Sequence, residues 1–288
     1  MGSATRRTRL RAILAGDRCV PMATIFDPIS SRIAGELGFE AGLMGGSLAS
    51  YAVLGAPDLI VLTLTELAEQ VHRATRASEV PLVVDADHGY GNALNVMRTV
   101  QELDHAGAAA LMVEDTLLPR AYGTTAAAQL LPLGESVGKI RAAVAARADS
   151  DIVVLARTSA ASITGVDDAI ARLSAYEGEG VDALFMPGLR TRDELDRISA
   201  AVTLPLVVGS PAEPLVDEAY LASRRARLWS NGHQTFNVAV KALHDAMKAV
   251  RDGTLSSALP NAAPKSLLDR VSAAATYDEW VKRFLGGR

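Results

Sequence analysis

Leu82 to Asn92 reads LVVDADHGYGN, an apolar run that stops on two carboxylates one residue apart and passes into a glycine-containing turn. Side chains alternate faces along a strand, so Asp85 and Asp87 are expected on the same side of it. Hard oxygen donors so placed suit Mg²⁺ or Mn²⁺. Two more apolar runs end in charge: Ala109 to Asp115 closes on Glu114 and Asp115, and Ile152 to Thr158 carries Arg157 near its end. Capping and turn formation are the plainer roles for such acids. Three carboxylates at one face, Asp85, Asp87 and Glu114, would however repel one another unless a cation bound there. Metal-assisted chemistry on an anion is the expectation.

Working outward, the same unit recurs: a short apolar strand, a polar turn, an amphipathic helix. Strands are predicted at 19–27, 39–46, 81–87, 109–115, 152–158, 183–188, 204–210 and 226–231. Helices are predicted at 28–37, 65–78, 93–106, 135–148, 166–179, 191–201, 213–222 and 234–251. Strands buried on both faces with helical crossovers mean a parallel sheet. Eight units at this length favour an α/β fold of the (β/α)₈ type, a TIM barrel, over an open doubly wound sheet. In such a barrel the active site lies at the C-terminal ends of the strands. Asp27, Gly45-Gly46-Ser47, Asp85, Asp87, Glu114, Arg157, Ser210 and Asn231-Gly232-His233 all fall at or just after expected strand ends.

Each of these has a plain structural alternative. Arg157 either pairs with one of the acids or binds a substrate carboxylate, for which a fixed guanidinium is suited. The glycines at 45 and 46 serve the bend, or leave backbone N–H groups free to hold an anionic oxygen beside Ser47. His233 caps the eighth helix, or acts as an acid, base or hydrogen-bond donor near neutral pH. His88 and Tyr90 orient ligands from behind, or merely pack.

The chain has 288 residues, 49% hydrophobic and 22% charged, which fits a globular protein rather than a disordered one. A net charge of -4 with a pI near 5.8 carries no electrostatic footprint for nucleic acid. A single cysteine, Cys19, excludes an internal disulfide and a multi-cysteine zinc site, so a reducing cytoplasm is the expected compartment. Arg6, Arg7, Arg9 and Arg11 are expected to form a solvated helix face. No long apolar stretch follows them as in a secretory signal, and arginine at position six fails the myristoylation pattern. No stretch approaches the ~20 apolar residues of a membrane span. One domain is expected over 1–288. Residues 253–264 read as a linker, and 265–288 as a C-terminal extension whose apolar helix covers its own barrel or reaches a neighbouring subunit.

Taken together, GFEAGLMGGSLAS, DADHGYGN, VEDT, LART and SNGH resemble the isocitrate lyase and phosphoenolpyruvate mutase superfamily, from about residue 10 to 285. The resemblance implies a (β/α)₈ barrel whose last helix is exchanged between subunits of a homo-oligomer, a dimer or a dimer of dimers. It also implies use of Mg²⁺ or Mn²⁺, and keto- or hydroxy-acid substrates handled through enolate-like intermediates. Carried over position by position, it makes Asp85 and Asp87 metal acids, with Asp58 and Glu114 acting directly or through water. It places Gly46, Ser47 and Arg157 at the substrate carboxylate.

The loop after the fourth strand separates the branches. Lyases of this superfamily carry a catalytic cysteine there, whereas this chain reads EDTLLPRAYG from Glu114 to Gly123. Phosphonopyruvate-processing members have Lys, Lys and Asn where this chain has Thr116, Arg120 and Tyr122. With His88 after the metal acids and His233 after strand eight, the chain is most similar to the oxaloacetate-decarboxylating branch, although Ser210-Pro211 stands where that branch has a tyrosine. The implied reaction is metal-dependent loss of CO₂ from oxaloacetate, with Arg157 and His233 as catalytic residues and Asp58 among those lining the substrate. The alternatives are C–C lyase or phosphonopyruvate chemistry, or a silent keto-acid-binding protein.

Overall fold

Eight parallel strands close in chain order into a barrel: β1 (Val20–Thr24), β2 (Ala41–Met44), β3 (Leu82–Asp85), β4 (Ala110–Glu114), β5 (Val153–Arg157), β6 (Ala183–Pro187), β7 (Leu206–Gly209) and β8 (Ala226–Ser230). β8 pairs back onto β1 through Val20–Leu228 and Met22–Ser230, which excludes the open sheet. The computed structural model describes residues 3–123, 127–147 and 150–286; Met1, Gly2, the end of the helix expected to reach 148, and the last two residues of the extension lie outside them. All eight expected strands are present, each shorter than the apolar run that announced it.

Alternation along each strand divides the apolar residues into two layers. Met22, Leu43, Val83, Met112, Leu155, Phe185, Val207 and Leu228 fill the barrel interior, while Val84, Leu111, Val113, Val154 and Leu184 pack outward against the helices. That parity decides the site. Asp85, Glu114 and Arg157 stand two residues beyond the inward-facing Val83, Met112 and Leu155, so all three rise from the inner face. Asp115, one residue out of step, goes outward.

The bottom of the barrel corrects the reading of the N-terminal arginines. Residues Ser3–Ala15 form a helix, α1, but Leu10 and Leu14 plug the interior, and Arg6 and Arg7 are buried. Arg7 pairs with Asp104 and donates from Nε to the Ala108 carbonyl at 3.1 Å; Arg11 pairs with Asp182 at 2.8 Å. Only Arg9 of the four is exposed. These arginines pin a plug to the barrel rim rather than forming a solvated face.

The outer wall comprises α2 (Pro28–Glu36), α3 (Gly46–Ala49) continued by a π turn at Ser50–Leu54, α4 (Leu64–Ala77), α5 (Ala93–His105), α6 (Leu133–Ala146), α7 (Ala160–Ile163), α8 (Val166–Glu177), α9 (Arg192–Ala201) and α10 (Glu218–Ser223). The helix expected at 213–222 is interrupted: a 3₁₀ turn at Glu213–Leu215 precedes α10. Asp27 is a helix cap and not a site residue, because its carboxylate accepts the Ser30 N–H at 2.7 Å.

After β8 the chain departs from a simple barrel. In α11 (Gln234–Arg251) no residue is buried, although Phe236 anchors its start between Phe26 and Tyr51. The extension expected as one helix is two, α12 (Lys265–Val271) and α13 (Ala274–Phe284), broken at Ala273, whose φ is 56°. α12 returns to its own barrel: Val271 is buried and Arg270 pairs with Glu36 of α2 at 2.5 Å. α13 buries nothing and exposes Tyr277, Trp280 and Phe284. Among the described residues no helix is long and apolar enough to cross a membrane.

Candidate active site

A cavity of about 450 Å³ opens at the C-terminal mouth of the barrel, lined by Ser47, Asp58, Asp85, Asp87, Glu114, Arg157 and His233. The positions carried over as metal or substrate residues thus come to one place, with Gly46 lying against Asp87 beside it. A Cβ on Gly46 would stand 2.5 Å from both Asp87 carboxylate oxygens, so only glycine leaves room for that side chain.

Arg157 organises the centre. Its Nη1 is 2.5 Å from Asp85 Oδ2 and its Nε is 3.1 Å from Glu114 Oε2, with the Phe185 ring 5.6 Å from the guanidinium carbon. Of the two roles weighed for this arginine, pairing with the acids is the one seen: two nitrogens hold acids, while Nη2 hydrogen-bonds to no described residue. Burial alone would pull the guanidinium down, but Asp85, Glu114 and Asp87 outweigh it and hold it firmly charged.

The carboxylates occupy the opposite situation. Burial, reinforced by Asp85 and Glu114, pushes Asp87 well above the usual carboxylate range. Burial raises Glu114 too, against the pull of Arg157, and burial with Asp85 raises Asp58. Acids strained upward in this way are what a cation would relieve.

Asp87 reaches the cavity by a route that strand alternation did not foresee. β3 ends at Asp85, and Asp87 sits in a left-handed turn with φ 48°. Asp85 Oδ1 accepts the Asp87 N–H at 3.2 Å, and the Glu114 N–H donates to the Asp87 carbonyl at 2.8 Å. The turn continues through Gly89, φ 75°, where a Cβ would meet Val96 at 2.4 Å, and ends on Asn92, which caps α5. Backbone strain at a non-glycine residue is a recurrent feature of functional turns.

At the far side, the segments that follow β2 and β8 meet across β1. Ser47 Oγ lies 2.9 Å from His233 Nε2, and Thr24 Oγ1 donates to the Gly232 carbonyl at 3.1 Å. Burial pulls the His233 imidazole down, against Asp85 and Asp58, and favours the neutral ring. A Cβ on Gly45 would stand 2.8 Å from His233 Cε1. Both glycines therefore serve close approach: one to His233, the other to Asp87.

Several sequence candidates lie elsewhere. Asp115 faces outward and accepts from Arg172 Nη1 at 3.1 Å and the Tyr176 hydroxyl at 2.7 Å, a buried network behind the barrel wall. His88 is buried beside Tyr90, its ring 5.8 Å away, and burial with Lys139 nearby lowers it to about 4. Cys19 precedes β1 at the opposite end, its thiol pushed up to about 12 by burial. Thr116, Leu118, Arg120, Ser159 and Ser162 also line the cavity. They follow β4 and β5 and were findable from the rule that places function after strand ends, but nothing in their residue types singled them out. Asp58 had no local signal at all, lying in a loop far from any strand.

Among the described residues no three His, Cys, Asp or Glu side chains are spaced to hold an ion by themselves. The residues nevertheless suit an ion that keeps much of its water, as Mg²⁺ does when one or two carboxylates hold it. The Asp87 carboxylate accepts no hydrogen bond from a described residue, and Glu114 Oε2 is buried with no hydrogen bond despite its charge contact with Arg157.

With this geometry, comparison with known proteins becomes informative. The chain is 62% identical over 287 residues to an oxaloacetate decarboxylase of Paraburkholderia xenovorans (strain LB400), covering 100% of this chain and 96% of the relative. It is 53% identical over 281 residues to another of that name from Rhodopseudomonas palustris (strain BisA53), covering 98% and 97%. Among solved structures it superposes on oxaloacetate acetylhydrolase in complex with the inhibitor 3,3-difluorooxalacetate with a TM-score of 0.87, 27% identity and 98% coverage of each chain. It superposes on phosphonopyruvate hydrolase in complex with oxalate and Mg²⁺ with a TM-score of 0.85, 28% identity and coverage of 99% and 100%. The phosphoenolpyruvate phosphomutase family model matches residues 10–251. The chain belongs to that family, within the isocitrate lyase and phosphoenolpyruvate mutase superfamily.

Proposed function

We propose that this protein decarboxylates oxaloacetate to pyruvate and CO₂ with the help of Mg²⁺ or Mn²⁺. The observation that carries the reading is the cavity itself: a guanidinium with one free edge and a Ser–His pair, set over buried carboxylates. The full-length identity to proteins named oxaloacetate decarboxylase supports it.

Asp85 and Asp87 would hold the ion, with Glu114 and Asp58 reaching it directly or through water. When bound, such an ion supplies Lewis-acid polarisation of an α-keto oxygen and neutralises developing charge. Arg157 Nη2 binds the carboxylate next to the keto group, and its pairing with Asp85 and Glu114 fixes the angle at which that carboxylate sits. Ser47 and the backbone beside Gly46 hold the same end of the substrate from β2. Fixing it leaves the C3–C4 bond perpendicular to the carbonyl plane, the alignment needed for that bond to break. His233, kept neutral by burial, can hydrogen-bond the substrate on the side where the product takes up a proton at C3.

C–C lyase chemistry of the cysteine-dependent kind is disfavoured, since Glu114–Gly123 contains no cysteine and Cys19 is buried at the other end of the barrel. The exposed apolar residues of α11 and α13, Val238, Leu243, Met247, Trp280 and Phe284 among them, support exchange of these helices with a second copy in a homo-oligomer. Light scattering that finds a monomer would remove that part of the proposal.

The test is the rate of oxaloacetate loss coupled to pyruvate detection, with Mg²⁺, with Mn²⁺ and with chelator, corrected for the metal-catalysed background. A fast rate that needs metal and vanishes in Asp85→Ala is expected. A rate no higher than background rejects the reading and points to 2-methylisocitrate, dimethylmalate and phosphonopyruvate as the next substrates.

A further inference from the structure

Asp115 is the pivot at the end of β4. Its neighbours on both sides, Glu114 and Thr116, line the cavity, and the Thr116 hydroxyl hydrogen-bonds the Glu114 carboxylate. Asp115 itself points away, into the wall. There its Oδ2 accepts from Arg172 Nη1 at 3.1 Å and from the Tyr176 hydroxyl at 2.7 Å, both residues on α8. The same Arg172 nitrogen donates to the Leu131 carbonyl at 3.0 Å, and the Leu131 N–H donates to the Asp115 carbonyl at 2.8 Å. Arg172 is held from behind in turn: Asp168 Oδ2 accepts from its Nε at 3.0 Å and from the Thr164 hydroxyl at 2.6 Å.

Stability does not account for this arrangement. Asp115, Arg172 and Tyr176 are all buried, and Asp115 Oδ1 makes no hydrogen bond to a described residue. Burying an ion pair costs desolvation that its attraction often fails to offset, and apolar residues of similar volume are commonly as stable. An apolar side chain at this position would continue the outward layer of Leu111 and Val113. What the charged group adds is direction. Side chains alternate along β4, so holding Asp115 outward holds Glu114 and Thr116 inward. The Glu114 N–H, donating to the Asp87 carbonyl at 2.8 Å, carries the constraint on to the turn that presents Asp87. As like charges the two acids push apart, so their spacing has to be imposed by the backbone that carries them.

We propose that Arg172 and Tyr176 are positioning residues that act through Asp115 to set Glu114 and Asp87 at the spacing a divalent cation requires. The proposal rests on the metal-dependent reading of the cavity and adds what fixes the geometry of its acids. Neither α8 residue lines the cavity, and Arg157, the partner for the substrate carboxylate, is held by other groups. Loss of the α8 contacts should therefore appear first in affinity for the ion. Turnover should follow through the fraction of protein that carries it.

The test uses the full-length protein and Mn²⁺, whose binding is read from the loss of the free-ion electron paramagnetic resonance signal, without substrate. Tyr176→Phe removes one hydrogen bond and keeps the ring, and should weaken Mn²⁺ binding about three- to tenfold. Arg172→Gln should weaken it about 10- to 100-fold. The control is Arg7→Ala, which breaks a buried ion pair at the other end of the barrel. It should lose stability as Arg172→Gln does, yet bind Mn²⁺ within about twofold of wild type. Oxaloacetate turnover at limiting Mn²⁺ should fall in step with affinity in both α8 variants and recover as Mn²⁺ is raised. Unchanged Mn²⁺ affinity in the α8 variants, or an equal loss in Arg7→Ala, overturns the proposal; if Arg172→Gln does not fold, Tyr176→Phe decides alone. If the α8 variants bind Mn²⁺ more weakly than wild type but the wild type does not turn over oxaloacetate, the decarboxylase reading fails and the assignment stands. If turnover is metal-dependent and the variants bind Mn²⁺ as wild type does, the assignment fails alone. A wild-type protein that binds no Mn²⁺ overturns both.

Discussion

Ser47 Oγ and His233 Nε2 stand 2.9 Å apart although 186 positions separate them in the chain, and this contact joins the mouth of β2 to that of β8 across β1. Among the described residues neither side chain has another hydrogen-bond partner, so each positions the other. We expect Ser47→Ala and His233→Asn each to lower kcat/KM for oxaloacetate about 10- to 100-fold with an unchanged circular dichroism spectrum. Because the two act as a unit, the double variant should lose little more than the worse single one. Full multiplication of the two losses would show that they work independently.

Arg157 faces acids that repel one another, and its removal should cost stability as well as rate. This differs from the expectation of a substrate contact alone. Arg157→Ala should lose at least ~100-fold in turnover, as for loss of a positioned charge-stabilising donor. In chelator it should be destabilised by about 3–5 kcal/mol, because buried carboxylates are left without their cation. Added Mg²⁺ should recover part of that loss, since a ligand that binds only the native state stabilises it. Denaturant titrations with and without metal test this; a stability equal to wild type in chelator would contradict the structural half of the argument.

Arg7 offers a prediction remote from the chemistry. Its guanidinium is buried under the barrel, pairs with Asp104 and donates to the Ser150 hydroxyl at 3.1 Å. Arg7→Ala should lower stability by about 3 kcal/mol, whereas Arg9→Ala, at an exposed neighbouring position, should change it by less than about 1 kcal/mol. Similar losses in both would restore the view of these arginines as a solvated stripe.

Glu177 ties the end of α8 to the start of β7. One carboxylate oxygen accepts from the Thr203 N–H and the Leu204 N–H, each at 2.8 Å, and from the Thr203 hydroxyl. Burial opposes ionisation here, but these hydrogen bonds outweigh it and lower the carboxyl below its ordinary 4.5. The unfolded chain then binds the proton more readily than the folded one, so stability rises with pH between the two values. The contribution is complete above about pH 4.5 and is lost as pH falls through the lowered folded value. Glu177→Ala should cost about 1.5–3 kcal/mol at neutral pH, the scale of hydrogen bonds to a charged group. The difference from wild type should shrink on acidification below about pH 4.5, and a pH-independent difference would show that the charge is irrelevant.

Much of this protein is legible in one dimension. Strand length, turn residues and the recurrence of eight units announced the barrel, because a parallel strand buried on both faces must be apolar throughout and must be followed by a crossover. The acids at 85, 87 and 114 and Arg157 pointed to the cavity that they line, because charge at the end of such a strand has no place in the core. The five local motifs announced the family.

What the tertiary structure decided lies in relations that local sequence does not encode. Closure of β8 on β1 brought His233 to Ser47, and a loop residue between β2 and β3, Asp58, was carried to the same cavity. Barrel parity sent Glu114 inward and its neighbour Asp115 outward to Arg172. A left-handed turn, and not the strand pleat, delivered Asp87, which needed Gly46 to have no side chain. The plug formed by α1 turned Arg6 and Arg7 from apparent surface charges into buried ones, because a charge run reads the same in sequence whether water or a carbonyl rim solvates it. Pattern in the chain reports which residues avoid water; which of them meet is set by the closed sheet that brings distant strand ends to one face.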